Sequence, residues 1–243
     1  MRKRINIGTD IATIGFWDPS CERPDLSAAK YAAYQAGLEA EANAGRLFFI
    51  LTGADGSYPA DVYTNQVPAP NILTLYESAD RRFLIRCTSG RMVAGGIEDF
   101  VNPKKITISL KDQFALKPGS YAIQIYERVE EKMISRLRDE LGEPDYEYYA
   151  RRAERLPWGC LLAVTIVFSV IVLLTQFWII ALVVFCAGVA YTAFRYRTQT
   201  VDVRYESIAE RVDSFDKDIP PFVYVIQPIG DNSNVTGGWH TLA

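Results

Sequence analysis

LPWGCLLAVTIVFSVIVLLTQFWIIALVVFCAGVAYTAF, residues 156–194, is the longest stretch of the chain without Asp, Glu, Lys, Arg or His. As one helix of about 39 residues it would be roughly 58 Å long, nearly twice the ~30 Å hydrocarbon core of a bilayer. Two helices of about half that length would each match the core. The sequence therefore predicts a two-helix transmembrane hairpin with its turn near residues 175–176.

The predicted hairpin has two arms, residues 160–174 and 177–194, separated by the polar pair Thr175-Gln176. Aromatic and basic side chains collect at its ends, as they do at membrane interfaces. The predicted membrane-interface residues are Trp158, Trp178, Tyr191, Tyr196, Arg155, Arg195 and Arg197. Because basic residues flank both open ends, the positive-inside rule predicts a bacterial inner-membrane protein with both termini cytoplasmic. The alternative is a helical hairpin buried in a protein core.

Composition disfavours several functional classes. The net charge is −3 and the basic residues form no long stripe, so nucleic-acid binding has no electrostatic footprint. The cysteines are Cys21, Cys87, Cys160 and Cys186, without a C-x-x-C pair, and His240 is the single histidine. A Cys/His zinc site or a Ser–His or Cys–His catalytic pair is therefore not expected. The sequence predicts no catalytic residue, no metal ligand and no cofactor.

Short runs of alternating polarity, separated by turn residues, recur through residues 1–127. This pattern predicts a mainly β, α+β fold with an antiparallel β-sandwich-like domain in the cytosol. Residues 46–52 and 58–64 are predicted to form a hairpin across the Asp55-Gly56 turn. Further strands are predicted at 82–88, 91–94, 105–110 and around 121–125.

Helical patterns flank this β-rich region. One helix is predicted from a cap at Asp25 or Ser27 to about residue 43. The charged segment 128–155 is predicted as a helical stalk before the hairpin. In the tail, residues 195–243, a helix is expected at 201–213 and a strand at 222–226. A lone strand leaves its backbone unpaired, so this one is expected to rejoin the first domain's sheet.

The acidic turn at residues 53–61 is the predicted partner-binding surface, with Asp55, Ser57, Tyr58 and Asp61 as its members. Loops on a rigid sandwich often carry binding residues. The spacing of the acidic residues matches no calcium-binding loop, so solvated turn residues are the alternative interpretation.

Four segments together resemble a group of small bacterial β-sandwich proteins encoded beside secreted antibacterial toxins. They are INIGTDIATIGFWDP (5–19), GRLFFILTGADGSY (45–58), SGRMVAGGIEDF (89–100) and LKPGSYAIQIY (116–126). The resemblance covers residues 5–126, about half of the chain. It implies an immunity or accessory role, in which the protein binds a toxin without performing chemistry.

The favoured function is a membrane-anchored, non-enzymatic binding protein of bacteria. It would act as an immunity protein that neutralises an antibacterial toxin at the cytoplasmic face of the inner membrane, with the lipid bilayer and the toxin as partners. The alternative is a membrane-disrupting effector of a bacterial defence system with a cytosolic sensing domain. The sequence leaves open which toxin is bound and the oligomeric state.

Overall fold

The computed structural model describes residues 1–102, 113–153, 185–188, 190, 203–230 and 235–241. The chain divides into two compact units, Met1–Met133 with Ile219–Ala243, and Ile134–Asp218. The strands are β1 (Arg2–Thr9), β2 (Thr13–Trp17), β3 (Leu47–Leu51), β4 (Gly56–Thr64), β5 (Tyr76–Ser78), β6 (Arg82–Cys87), β7 (Arg91–Gly96), β8 (Gln113–Ala115), β9 (Gly119–Arg128), β10 (Phe222–Pro228), β11 (Val235–Thr236) and β12 (Trp239–Thr241). The helices are α1 (Tyr31–Asn43), α2 (Pro70–Leu73), α3 (Ile97–Phe100), α4 (Glu130–Leu141), α5 (Glu143–Ala153) and α6 (Val203–Asp218).

The strands of the first unit form two sheets. Sheet A has the order β1-β4-β10-β9-β6-β11, with β5 also paired to β9, and sheet B has the order β12-β3-β2-β7-β8. Three pairs are parallel: β10 with β4, β11 with β6, and β12 with β3. The prediction of an antiparallel sandwich is therefore corrected to two mixed sheets. In each parallel pair, one of the last three strands lies beside a strand from much earlier in the sequence.

One apolar core joins the inner faces of the two sheets. Phe16 of sheet B meets Tyr224 of sheet A edge to face, with 4.7 Å between ring centroids. Phe48 of sheet B contacts Phe83 of sheet A at 4.9 Å. Each of these rings is fully buried. Alternation along the strands directs such residues inward, and burial of each large side chain contributes ~1.5–3 kcal/mol.

β3 and β4 do not form the predicted hairpin. β3 pairs with β2 and β12 in sheet B, whereas β4 pairs with β1 and β10 in sheet A. The turn between them carries the chain from one sheet to the other, with a positive φ of 73° at Gly53. The sequence LFFIL of β3 is buried on both faces, because the core covers one side and α1 covers the other. A strand covered in this way needs neighbours on both edges, which one short hairpin does not provide.

α1 begins later than its predicted cap. The Asp25 carboxylate accepts hydrogen bonds from the backbone N–H and the hydroxyl of Ser27, at 3.3 and 2.6 Å. The N–H of Leu26 is bonded to the carbonyl of Val101 at 3.0 Å. These contacts fix a turn instead of a helix start, since a short Asp side chain can satisfy a turn as well as a cap.

β10 lies in the middle of sheet A, although it comes late in the chain. Tyr224 is opposite Val62 of β4 on one side and Ile125 of β9 on the other. Residues 134–218 are therefore inserted between two neighbouring strands of the same sheet.

The second unit contains α5 and α6, which pack through aromatic and charged side chains. The rings of Tyr149 and Tyr205 stack with 5.7 Å between centroids. Arg204 donates to Asp145 at 2.7 Å. Ile208 of α6 is buried. α5 lies within residues 128–155, which are predicted from the sequence to form a charged helical stalk.

The prediction of membrane-spanning helices requires correction. Within the described ranges, no helix combines the length and the apolar character needed to cross a bilayer. α6, the longest of them, has 16 residues, about 24 Å against a ~30 Å hydrocarbon core, and it is rich in charge. The predictions of a two-helix transmembrane hairpin and of an inner-membrane location are therefore wrong by this criterion. Of the span 156–194, residues 185–188 and 190 are helical, and the rest lies outside the described residues. The predicted interface residues Trp158, Trp178, Tyr191, Tyr196, Arg155, Arg195 and Arg197 also lie outside them.

A buried carboxylate fixes the end of β2 to the turn between β6 and β7. Asp18 is 2% exposed. It accepts hydrogen bonds from the Ser20 N–H at 2.8 Å, the Ser89 N–H at 2.7 Å, and both the N–H and the hydroxyl of Thr88. Burial opposes ionisation, but hydrogen bonds from Ser89, Ser20 and Thr88 outweigh it and hold the Asp18 pKa well below its usual range.

Asp18→Asn is expected to lower the free energy of unfolding by about 1–3 kcal/mol at pH 7, because an amide cannot accept all of these hydrogen bonds. The folded-state pKa lies below the unfolded value of about 3.9, so the charged group stabilises the fold above about pH 4. This contribution is lost as the pH falls toward the lower folded pKa. Urea unfolding of the full chain at pH 7, 4 and 3 should show the difference from the wild type shrinking. Asp80→Asn, at an exposed position, is the control, and a difference that does not depend on pH would contradict this role.

Candidate functional site

A cleft of about 420 Å³ lies between α1 and the outer face of sheet B. Tyr31, Tyr34, Gln35 and Leu38 of α1 form one wall. Their spacing of three and four residues places them on one face of the helix. Leu38 is buried at the base of this wall, whereas Tyr31 is 74% exposed. Gln35 donates to the Tyr31 hydroxyl at 2.8 Å and so links the polar ends of this face.

The opposite wall consists of aromatic side chains from two neighbouring strands. Trp239 of β12 lies beside Phe49 of β3 in the parallel ladder. Their rings are stacked, with 5.6 Å between centroids and 2° between planes. Both residues line the cleft. The cleft therefore includes a side chain that arrives only with the last described strand of the chain.

Three contacts hold this last strand in place. The carbonyl of Trp239 accepts a hydrogen bond from Arg81 at 2.9 Å. A ring nitrogen of His240 contacts the Glu127 carboxylate of sheet A. Gly237 passes so close to the end of α1 that a Cβ there would lie 2.5 Å from the Asn43 backbone. Only glycine fits this approach.

Two turns close one end of the cleft. Ile11, Ala12 and Thr13 line it from the β1–β2 turn, and Gly53 lines it from the β3–β4 turn. The N–H of Thr52 donates to the Ala12 carbonyl at 2.9 Å, so the two turns lie side by side. Ile11 is 45% exposed, which adds a further apolar side chain at the rim.

The Tyr34 hydroxyl is a buried polar atom on the cleft wall. Within the described part of the chain it has no hydrogen-bond partner. Burial raises the pKa of Tyr34, and the nearby charge of Glu98 adds to the rise. The hydroxyl therefore stays protonated at neutral pH. A buried hydroxyl left unbonded costs the fold ~1–3 kcal/mol.

The predicted partner-binding residues follow one strand but differ in exposure. Asp55 is exposed in the turn whose Gly53 lines the cleft. Ser57 donates to the Asn6 side chain at 2.8 Å, and the Tyr58 hydroxyl donates to the Ala54 carbonyl. The Asp61 carboxylate is 3% exposed and pairs with Arg2 at 2.7 Å and Arg4 at 2.6 Å. The structure brings only the Asp55 turn to the cleft.

Sequence reasoning missed the residues that form the walls of this cleft. Tyr31, Tyr34 and Leu38 follow a helical period, which by itself is equally typical of packing. Trp239 follows a pair of glycines, Gly237-Gly238, and a large aromatic after such a pair marks a close backbone approach. That pair is the local signal that could have indicated a close approach of the chain just before Trp239.

Two of the described thiols, Cys21 and Cys87, are poor nucleophiles. Burial raises the pKa of Cys21 to about 11, with the charge of Asp18 as a further contribution. Burial likewise raises the pKa of Cys87. Both are protonated at neutral pH. Among the described residues, no group of three or more His, Cys, Asp or Glu side chains is placed to hold a metal ion.

No protein-family model matches the chain, and no curated protein matches it. Among solved structures, the chain is similar to one described as Crocagin biosynthetic gene J, with 18% sequence identity and a TM-score of 0.38. The match covers 54% of this chain and 80% of that chain. A likeness of this size carries no argument about the site.

Gly237→Ala is expected to displace the last strand, because the added Cβ would meet backbone atoms of Asn43 at 2.5 Å. Overpacking of this kind costs about 1–3 kcal/mol. Hydrogen exchange on the full chain should show faster exchange in β12 and along the facing edge of β3, and the melting temperature should fall. Gly230→Ala is the matched control, since a Cβ there meets nothing within 4 Å. If both variants exchange like the wild type, the tail is not held by this approach.

Proposed function

We propose that this protein is a non-enzymatic binding protein that receives part of a partner protein in the cleft between α1 and sheet B. The cleft itself carries the proposal: a concave surface lined by Tyr31, Tyr34, Phe49 and Trp239. Large aromatic side chains around a cavity are typical of binding sites, since they offer much apolar area at a low cost in side-chain entropy.

Two exposed side chains at this surface support a protein partner. Tyr31 is 74% and Ile11 is 45% exposed. Covering an exposed aromatic side chain removes apolar area from water at ~25 cal/mol per Å². The walls of the cleft belong to a helix and a sheet joined by a continuous apolar cluster that includes Leu38 and Phe49. Such a site keeps its shape on binding, so little free energy is spent on ordering it.

The resemblance of residues 5–126 to β-sandwich proteins encoded beside antibacterial toxins supports a toxin as the partner. The protein would then be an immunity protein that neutralises the toxin by occupying part of its surface. This proposal needs no membrane anchor. A membrane-disrupting effector would require membrane-spanning helices, and no helix among the described residues is long and apolar enough to be one.

Tyr31→Ala is expected to weaken partner binding about tenfold or more, since an aromatic anchor at an interface contributes ~2 kcal/mol. The melting temperature should stay unchanged because the side chain is largely exposed in the free protein. The partner is to be captured on the immobilised full chain from lysates of toxin-producing bacteria, and affinities are then measured with purified proteins by calorimetry. Val67→Ala, which removes a side chain 57% exposed and outside the cleft, should bind like the wild type.

Two results would count against this function. Equal affinities of the wild type and Tyr31→Ala would remove the cleft from the binding surface. The immunity role is tested in cells: the captured protein alone should arrest bacterial growth, and co-expression with this protein should restore it. Absence of arrest, or arrest without rescue, contradicts toxin neutralisation.

A further inference from the structure

We infer that the partner places a cationic side chain, lysine or arginine, in the aromatic cleft. The inference rests on the proposed binding function and adds the chemistry of the group that is bound. It follows from the combination of aromatic walls with a negative electrostatic surrounding. Neither feature alone distinguishes a cationic occupant from an apolar one.

The first feature is the set of rings. Tyr31 and Tyr34 line the cleft from the helix, and Phe49 and Trp239 line it from the sheet. Each aromatic face carries partial negative charge and attracts a cation within ~6 Å, most strongly at Trp. Groups of such rings on several sides of a cavity are a known means of binding ammonium and guanidinium groups.

The second feature is the charge of the lining. Glu39 is the single charged residue among the described residues that line the cleft. Lys30 precedes α1 but does not line the cleft. A cation entering here would meet one carboxylate and no basic side chain among the lining residues; the nearby Arg81 is bonded to the Trp239 carbonyl at 2.9 Å. The attraction is stronger than in water because the surrounding protein has a lower effective dielectric constant.

Acidic residues also lie in or beside the two turns that close one end of the cleft. Asp10 and Asp55 are exposed in the two turns that lie side by side there. The Glu98 carboxylate accepts from the Asp10 N–H at 3.0 Å and from the Thr9 hydroxyl at 3.2 Å. The charge of Glu98 reaches the cleft wall, since it contributes to the raised pKa of Tyr34.

The test compares two blocked tripeptides, acetyl-Leu-Arg-Leu-amide and its citrulline analogue, which has nearly the same shape without the charge. Binding to the full chain is followed by NMR of the Trp239 indole, assigned with Trp239→Phe. The arginine peptide should bind about tenfold more tightly. Glu39→Gln should reduce this ratio several-fold, whereas Glu131→Gln, the same charge change at an exposed position on α4, should leave it unchanged.

The outcomes separate this inference from the proposed function. Equal binding of the two peptides at the Trp239 indole overturns the preference for a cation but leaves a binding cleft. An arginine preference that persists in Glu39→Gln and disappears at physiological salt indicates non-specific attraction and also overturns the inference. Absence of any shift at Trp239 with either peptide overturns it as well. The effect of Tyr31→Ala on the captured partner decides the proposed function independently of these results.

Discussion

β10 hydrogen-bonds to β4 on one side and to β9 on the other, and both faces of this strand are buried. Its inward side chains, Phe222, Tyr224 and Ile226, belong to the core between the sheets. Its outward Val223 and Val225 belong to a second apolar cluster on the other face of sheet A. Without β10 the edges of β4 and β9 would be left unpaired, and their buried N–H and C=O groups would lose their partners. The completeness of sheet A therefore depends on a segment that follows the whole second unit in sequence.

The path of the chain after β10 explains why the cleft exists. β11 pairs with β6 at the edge of sheet A, and β12 then pairs with β3 at the edge of sheet B. The tail thus crosses between the edges of the two sheets, where the contact between His240 and Glu127 joins them. Trp239 reaches Phe49 only because β12 is in register with β3. The fold and the candidate site therefore share one requirement, the correct placement of residues 219–230 and 235–241.

The sequence predicts where the strands lie better than it predicts which strands pair with one another. Alternation identifies the regions of β6 and β9, and the apolar run LFFIL identifies β3, because inward and outward residues differ in polarity. Strand pairing depends on contacts that are distant in sequence. The chain does turn next to Asp55-Gly56, but it passes there from sheet B to sheet A instead of forming a hairpin. The start of α1 was misplaced because Asp25 serves a turn equally well. Hydropathy alone predicted the membrane hairpin at 156–194.

Of the candidate site, the sequence indicated only the acidic turn at Asp55. The walls of the cleft come from residues 31–39, 49 and 239, which are far apart in sequence. Because the fold alone brings them together, they form no local motif.

Two tyrosine hydroxyls are buried without a partner among the described residues, one in the core and one beside the cleft. They belong to Tyr224 and Tyr34. Tyr224 is fully enclosed, and its pKa is raised well above the ordinary value, first by burial and then by the charge of Glu127. No ligand can reach it, so the cost of its unbonded hydroxyl is a fixed part of the fold. Tyr34 lines an open cleft, but its hydroxyl is buried as well, so the cost of ~1–3 kcal/mol is also a fixed part of the fold there. The capacity of the cleft to bind therefore rests on its accessible aromatic area, of which Tyr31 contributes most, and not on the buried hydroxyls.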